Sequence, residues 1–376
     1  MPFVYLYHML LKISTWVFVF GCLASFQGRS QTADSAVAKT KHWHYLLLGD
    51  LYYGYDFAQP AGNKRQEAFA SYNRHNQLAL NAAIAKISYI RPRLAFHLGA
   101  VGGTYSRDNY ANEPGLLKHL FEAQVAIKLL SQQELWLHAG VLPSHIGFES
   151  ALATDNHTLS RSLLAENSPY YSSGLQLRYA HPKHWQFSLL VLNGWQRLRF
   201  DPQQRIPALG TQLTRETDQW LWNWSTFTGW VDPDSLGLWR SFHNFYVQRS
   251  IHAQWYFTMG FDIGWQKMPA QWAVWYSPVG ILKFQPNKQW AAAGRLEYYH
   301  DPQAANLRFN SPAGFSAWGL SANVDRKTGR KGLLRAEIRY LLSPSNSLNS
   351  LGSNQQSNLT ALIAAVLKLD GDLPKR

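Results

Sequence analysis

The chain has 376 residues, with 36 Lys+Arg against 23 Asp+Glu for a formal charge of +13, and 16 Trp, 19 Tyr, 19 Phe and one Cys. A 46% hydrophobic and 14% aromatic content excludes a disordered chain, and a lone Cys excludes a disulfide-stapled scaffold or a Cys-based metal site. The mean hydropathy is negative, which argues against a bundle of apolar membrane helices.

In chain order, the first feature is the only long apolar run, Ile13 to Phe26, preceded by Lys12 and followed by small and polar residues. It is too short to span a bilayer comfortably and reads as the core of a secretory signal peptide, residues 1–30, with Met9 as an alternative start and cleavage after Ser30. Cys22 offers a lipoprotein alternative, against which Phe20 stands where a small residue is expected. Cleavage removes Lys12, Arg29 and no acid, which takes the +13 to +11 and leaves the mature chain without cysteine. Residues 31–42 then form a short periplasmic segment, 43–370 the body and 371–376 a tail.

Beyond residue 40 no helical period dominates. Segments of about 10 residues alternate apolar and polar, the length a tilted transmembrane strand needs. In 252–266, Ala253, Trp255, Phe257, Met259, Phe261, Ile263 and Trp265 share one face. Leu334, Ala336, Ile338 and Tyr340 alternate with Arg335, Glu337 and Arg339. Strands are expected near 43–57, 77–90, 93–104, 119–130, 134–142, 170–180, 184–195, 219–230, 238–249, 252–266, 270–285, 289–299, 314–325, 332–342 and 358–369. That total is odd, and it puts the short turns on opposite sides in the two halves. One more strand within 204–216 repairs both faults. Trp and Tyr gather at segment ends (Trp43, Tyr170, Tyr171, Trp195, Trp220, Trp265, Trp290 and Tyr299 among them), and short and long connections alternate, as in outer-membrane barrels. The expected fold is all-β: a closed antiparallel transmembrane β-barrel of about 16 strands around a water-filled lumen.

Several blocks also resemble the OmpL-like β-barrel porin-2 family of outer-membrane proteins. They are Ala139-Gly-Val-Leu-Pro-Ser-His-Ile-Gly-Phe-Glu-Ser150, Leu163-Leu-Ala-Glu-Asn-Ser-Pro-Tyr-Tyr-Ser-Ser-Gly174, Leu192-Asn-Gly-Trp-Gln-Arg197, Pro207-Ala-Leu-Gly-Thr-Gln-Leu213 and Asn223-Trp-Ser-Thr-Phe227. The resemblance covers nearly all of the mature chain. It implies a porin-like diffusion channel in the outer membrane of a Gram-negative cell, with lipid, the barrel assembly machinery and small hydrophilic solutes or ions as partners, and it leaves a homo-oligomer open. One departure is that such barrels usually end on an aromatic residue, whereas this chain continues into Asp370-Gly-Asp-Leu-Pro-Lys-Arg376.

In a barrel the polar face of each strand points inward. Glu122, Lys128, Arg178, Asp262, Arg295, Glu297, Arg335, Glu337 and Arg339 are the expected pore-lining charges, and Arg facing carboxylate selects ions by sign. With a positive mature chain, a mild anion preference is expected. Mutual neutralisation that merely keeps the lumen wet is the plainer alternative. Segment 143–169, with His145, Glu149, Asp155, His157, Arg161 and Glu166, is long enough to have a task, and folding inward as a constriction is the natural one. Its alternative is a cap on the rim.

Other classes fit less well. Asn156, His157 and Ser160 have the residue types of a barrel lipase but lie too close in sequence to converge as a triad. His42 and His44 share a strand face but lack a local acidic or Cys partner for a metal. Gly99–Gly103 has no phosphate-cradling order, and the aromatics follow strand ends, not a nucleic-acid stacking platform. The expectation is no enzyme, no catalytic residue, no metal, no cofactor and no nucleic acid. Energy-coupled uptake would need a plug domain, for which residues 31–41 are too few. The rival from another class is a non-conducting barrel with a structural or adhesive role.

Overall fold

The computed structural model describes residues 42–65, 69–200, 206–231, 238–306, 314–344 and 356–373. The expected signal peptide, with Met9 and Cys22, and residues 374–376 of the expected tail lie outside the described residues.

Sixteen strands follow one another: β1 (His42–Asp56), β2 (Gln77–Arg91), β3 (Leu94–Gly102), β4 (Leu120–Lys128), β5 (Glu134–Pro143), β6 (Tyr171–His181), β7 (Trp185–Leu192) and β8 (Ala208–Glu216) make the first half. The second half is β9 (Trp220–Trp230), β10 (Trp239–His252), β11 (Trp255–Lys267), β12 (Trp272–Phe284), β13 (Trp290–Asp301), β14 (Phe315–Thr328), β15 (Gly332–Leu342) and β16 (Ser357–Asp372). Each strand pairs antiparallel with its chain neighbours, and β1 pairs with β16 from His44↔Asp372 to Asp56↔Thr360, so the sheet closes and has no edge. The strand expected within 204–216 is β8.

One boundary differs from expectation. Asp370, Gly371 and Asp372 are paired residues of β16, so the strand takes in the first residues of the expected tail; His44 of β1 meets Asp372 at 3.1 Å and holds that end in register. The acidic neighbour that His44 lacks in sequence thus comes from across the seam.

Period-2 alternation decides which way each side chain points. Leu320, Ile363, Leu296, Met259 and Leu367 are among the most exposed apolar side chains, and all lie on the outer face. An outer surface of Leu, Ile, Val and Trp is costly in water and favourable in hydrocarbon. At the short-turn end the outer rim carries arginines over aromatic rings on the adjacent strand: Arg215 over Trp185, Arg249 over Trp220 and Arg326 over Trp290, at 5.2, 4.4 and 5.3 Å. Trp272 and Trp318 mark the opposite rim. Four aromatics expected in the girdles are elsewhere. Tyr171 and Tyr299 are 1% exposed and point inward, and Tyr170 and Trp195 lie in loops.

The inner face departs more from expectation. Leu48, Ile84, Val101, Val141 and Val366 point inward and are buried together, as are Leu190, Leu192, Phe227, Phe242 and Trp275. A lumen filled only with water would leave these side chains wet. They are dry because loop 144–170 lies inside the barrel, with Ala151, Leu152 and Ala153 packed against the first group and Ile146 and Leu163 against the second. Near the loop's origin the wall bends at Gly140 and Gly174, which pair across β5 and β6 at φ +126° and +148°. A Cβ there would sit 2.1 Å from the Ala123 carbonyl oxygen and 2.0 Å from that of Val191, so only glycine fits both positions.

Candidate channel lumen and its inner loop

Apart from short helical turns at Ala153–Asp155 and Leu163–Glu166, loop 144–170 has no regular structure, and its backbone donors and acceptors must find partners once water is excluded. The inward faces of β13, β14 and β15 supply them to loop 144–170. Arg335, Glu337 and Arg339 alternate along β15, opposite Asp325, Asn323 and Ser321 of β14, and Arg295 and Glu297 lie on β13. Arg335 donates to the carbonyls of Ala153 (2.7 Å) and Asn156 (3.1 Å) and forks onto Asp325 (2.8 and 3.0 Å). Arg295 donates to Thr158 Oγ1 (3.0 Å), to the Ser160 carbonyl (2.7 Å) and to Glu337 (3.1 Å), while its Nε stands 3.1 Å from Glu297 as an ion contact. Arg339 reaches the Arg161 carbonyl (3.2 Å) and Glu297 (2.7 Å).

The acceptors on the wall take the loop's N–H groups in return. Leu159 N donates to Asn323, Ser160 N to Glu337 and Leu163 N to Glu297, at 2.9, 2.8 and 2.7 Å. Three arginines face Glu297, Glu337 and Asp325, so the cluster is neutral. Gly319 leaves room for it, since a Cβ there would fall 2.6 Å from the Glu297 side chain. Further round, Gln212 and Ser225 donate to the His145 carbonyl, the His145 ring meets the Thr226 carbonyl, and Gly147 N donates to Asn244.

The charges expected to line the pore therefore fall into two groups. Arg295, Glu297, Arg335, Glu337 and Arg339 face inward, as alternation requires, but are at most 4% exposed. They are covered by the loop and do not face open water, which corrects the expectation of a wet row setting a field across the lumen. Asp262 is buried too and accepts from Asn244. On the opposite wall Glu122 is buried against Lys86 (2.7 Å), Lys128 pairs with Glu134 (2.5 Å), and Arg178 is half-buried. Lys86, Glu134, Asn323 and Asp325 were missed by sequence reasoning, although the same alternation that gives Lys128 and Arg335 points all four inward.

Within the loop, Glu149 accepts from Ser162, Arg161 donates to the Ser150 carbonyl (3.1 and 2.7 Å) and lies over Tyr105 and Tyr170, and Glu166 accepts from Ala70 N, Ser71 N and the Tyr170 hydroxyl. Expected as constriction charges, they hold the loop's own shape and tie it to loop 57–76. Ser160 donates its hydroxyl to Glu337, and His157 lies 3.5 Å from Thr258, so Ser160 and His157 do not meet as nucleophile and base.

Burial pushes the His145 imidazole down to about 4, and burial with Lys283 and Arg335 nearby pushes His157 down to about 3. Both are neutral at pH 7 when docked, and a released loop returns them to about 6.5. Below 6.5 the released form therefore takes up protons that the docked form refuses, and docking weakens by about 1.4 kcal/mol per histidine per pH unit. Burial raises Glu149, Asp155 and Glu166, which favours docking towards acid and opposes the histidine trend wherever those carboxyls titrate. Protease cleavage within the loop should accelerate from about pH 6.5 to about pH 5, and His157→Gln should reduce the slope. A cleavage rate independent of pH across that window would contradict the buried histidines.

The family model described as putative beta-barrel porin-2, OmpL-like, matches residues 48–369. The chain belongs to this family. It is an outer-membrane β-barrel of the porin class, a group of channels. Solved structures with the same architecture include the anion-selective porin from Comamonas acidovorans (8% identity, 88% of this chain and 100% of that chain, TM-score 0.60). The outer-membrane channel DcaP of Acinetobacter baumannii is similar at 8% identity, 88% and 97% coverage and TM-score 0.57. So is in-vitro folded OmpT of Vibrio cholerae in its trimer form, at 8%, 88% and 99%, and 0.55. At these identities the likeness is one of fold. No curated protein matches the chain.

Proposed function

We propose that this porin-family barrel is a passive channel for small hydrophilic solutes and ions, narrowed by loop 144–170 and mildly selective for anions. The observation that carries the reading is the one-sided attachment of the loop. Its hydrogen bonds and ion contacts go mainly to β9–β15, through a cluster with no net charge, while the wall of β2–β6 keeps partly exposed Lys86, Arg178 and Glu134 towards the short-turn end. Lys86, Lys128 and Arg178 against Glu122 and Glu134 leave that wall net positive, and a positive wall in a narrow aqueous passage favours anions. The short turns face the periplasm on this reading, as in other bacterial barrels, and the trimer of the Vibrio relative supports a homo-oligomer. Residues 1–30 act as the export signal.

A second reading has its own support. Ala151–Ala153 pack against Ile84, Val101 and Val366 on the far wall, so the loop touches both sides of the lumen at that level. A barrel shut there would be a non-conducting outer-membrane protein. Planar-bilayer recording under a salt gradient separates the two. The channel reading expects discrete conductance steps, smaller than those of an unobstructed 16-strand porin, with a reversal potential on the anion side that moves towards cations in Lys86→Glu and Arg178→Glu. Absence of steps from correctly folded protein would favour the closed barrel, and a cation-side reversal potential would remove the selectivity assignment.

A further inference from the structure

On the outer face at the long-loop end, a groove of about 620 Å³ runs between β2 and loop 103–119. Its lining combines Leu78 and Leu80 of β2, both exposed and outward, with Arg74, Arg107, Lys118 and His119, and it includes no acidic residue. His119 also borders a second trough of about 420 Å³, which continues along the wall over Ala85 and Ile87 of β2 and Leu98 and Ala100 of β3. A basic head thus joins an apolar trough on the surface that faces lipid.

Loop 103–119 holds these groups outward. Gly103, at φ +114°, brings the backbone so close to β2 that a Cβ would fall 2.5 Å from the Asn81 carbonyl oxygen. The short helix that follows, Thr104–Asn109, buries Tyr105, and Tyr110 is buried just beyond it, which leaves Arg107 on the exposed side. A helical turn at Gly115–His119 then carries Lys118, and the His119 ring is fixed by its Nδ1 on the Val101 carbonyl (3.0 Å). Arg74 is already paired with Asp108 (2.8 Å), which also has Lys64 at 3.6 Å. The side chains of Arg107 and Lys118 have no hydrogen-bond or ion-pair partner among the described residues.

Two open cations at the head of an apolar trough match an amphipathic anion. Arg and Lys take phosphate oxygens in charge-assisted hydrogen bonds, and Leu78, Leu80 and the trough offer contact to acyl chains. From Leu80 to Ile87 the strand runs about 23 Å, or about 18 Å along the membrane normal at a tilt of about 40°, close to the depth of one leaflet. A free phosphate would leave the trough empty. A second copy of the chain suits the face less, because a symmetric assembly built on it brings the same cations together. We propose that the groove seats a phosphate-bearing acylated lipid of the outer leaflet, with its phosphates on Arg107 and Lys118 and an acyl chain over β2 and β3. The choice of leaflet rests on the reading above that the short turns face the periplasm; the binding itself does not.

Native mass spectrometry of the detergent-solubilised full chain tests the site without requiring conduction. With bis-phosphorylated lipid A as the probe, one lipid should stay on each chain, and excess inorganic phosphate should not displace it. Lipid A stripped of its phosphates keeps its acyl chains and should bind at least about tenfold more weakly. The same loss is expected for intact lipid A on the double variant Arg107→Glu, Lys118→Glu. Ala100→Phe fills the trough at an exposed position, leaves both cations in place and should also weaken retention. Arg215→Glu, on the short-turn rim, should leave retention unchanged, and heat-modifiable gel migration reports the folding of every variant. Undiminished retention in the double variant, an equal loss in Arg215→Glu, or displacement by phosphate alone would overturn the proposal. So would chain–chain association that excludes the lipid and is lost in Ala100→Phe, which would give the face to a second copy. Bilayer steps without lipid retention would leave the channel and remove the site, whereas retention without steps would do the reverse.

Discussion

Replacing Arg295 with leucine is expected to release loop 144–170 from the barrel wall and raise single-channel conductance several-fold. Arg295 is 1% exposed and is the only side chain that bridges the loop segment Thr158–Ser160 to both Glu297 and Glu337 among the described residues. Leucine takes a donor from the Ser160 carbonyl and from Thr158 Oγ1, and it removes the cation shared by Glu297 and Glu337, in a place with little water. Breaking a buried ion pair from one side costs about 3–5 kcal/mol, more than a loop whose own regular structure is limited to short helical turns at Ala153–Asp155 and Leu163–Glu166 can absorb. The wall strands lose no ladder hydrogen bond, so the barrel should persist and only the loop should leave. The expected readouts are larger and noisier current steps, with rapid protease cleavage inside the loop and an unchanged barrel core. Native-sized steps and a protected loop would mean that the cluster is not the latch. The Arg335→Glu and Arg339→Glu changes that first suggest themselves as selectivity tests would act by the same route, because both arginines hold loop carbonyls.

The second large effect concerns the outside of the barrel. Leu320→Arg should destabilise the folded protein in lipid by about 2–4 kcal/mol, the cost of arginine near the bilayer midplane on a lipid-facing strand position. Leu320 lies near the middle of β14, is 60% exposed, and is flanked across the sheet by Leu296 and Tyr340, both also exposed. A soluble protein would accept arginine at so exposed a position with almost no change. Urea unfolding of vesicle-inserted protein, followed by heat-modifiable gel migration, reads the difference. A loss below about 0.5 kcal/mol would argue that this face does not meet hydrocarbon.

How much of this was legible in the sequence depended on whether the signal was local. Period-2 alternation is local, and it gave the strands, including β8, which was inferred only because an odd number could not close with its turns on one side. Alternation also points Arg335, Glu337 and Arg339 inward. It cannot show what they meet, because their partners are backbone carbonyls of a loop more than a hundred residues away. The dry inner clusters were hidden for a related reason. Leu46, Leu47 and Leu48 are consecutive, so parity shows nothing about why the inward pair is apolar; the cause is contact with Ala151–Ala153 and their neighbours.

The central claim is that loop 144–170 sits inside the closed barrel, and single-cysteine labelling tests it most directly. The only native Cys is Cys22, within the expected signal peptide, so a cysteine placed later in the chain is read without background. Thr158→Cys, at a position 0% exposed, should resist a water-soluble maleimide in intact outer membranes, whereas Leu116→Cys, at a position 87% exposed, should react at once. Adding Arg295→Leu should bring the Thr158→Cys rate up to that of the control. Equal, rapid labelling of Thr158→Cys and Leu116→Cys in an otherwise native chain would put the loop outside the barrel and contradict the account.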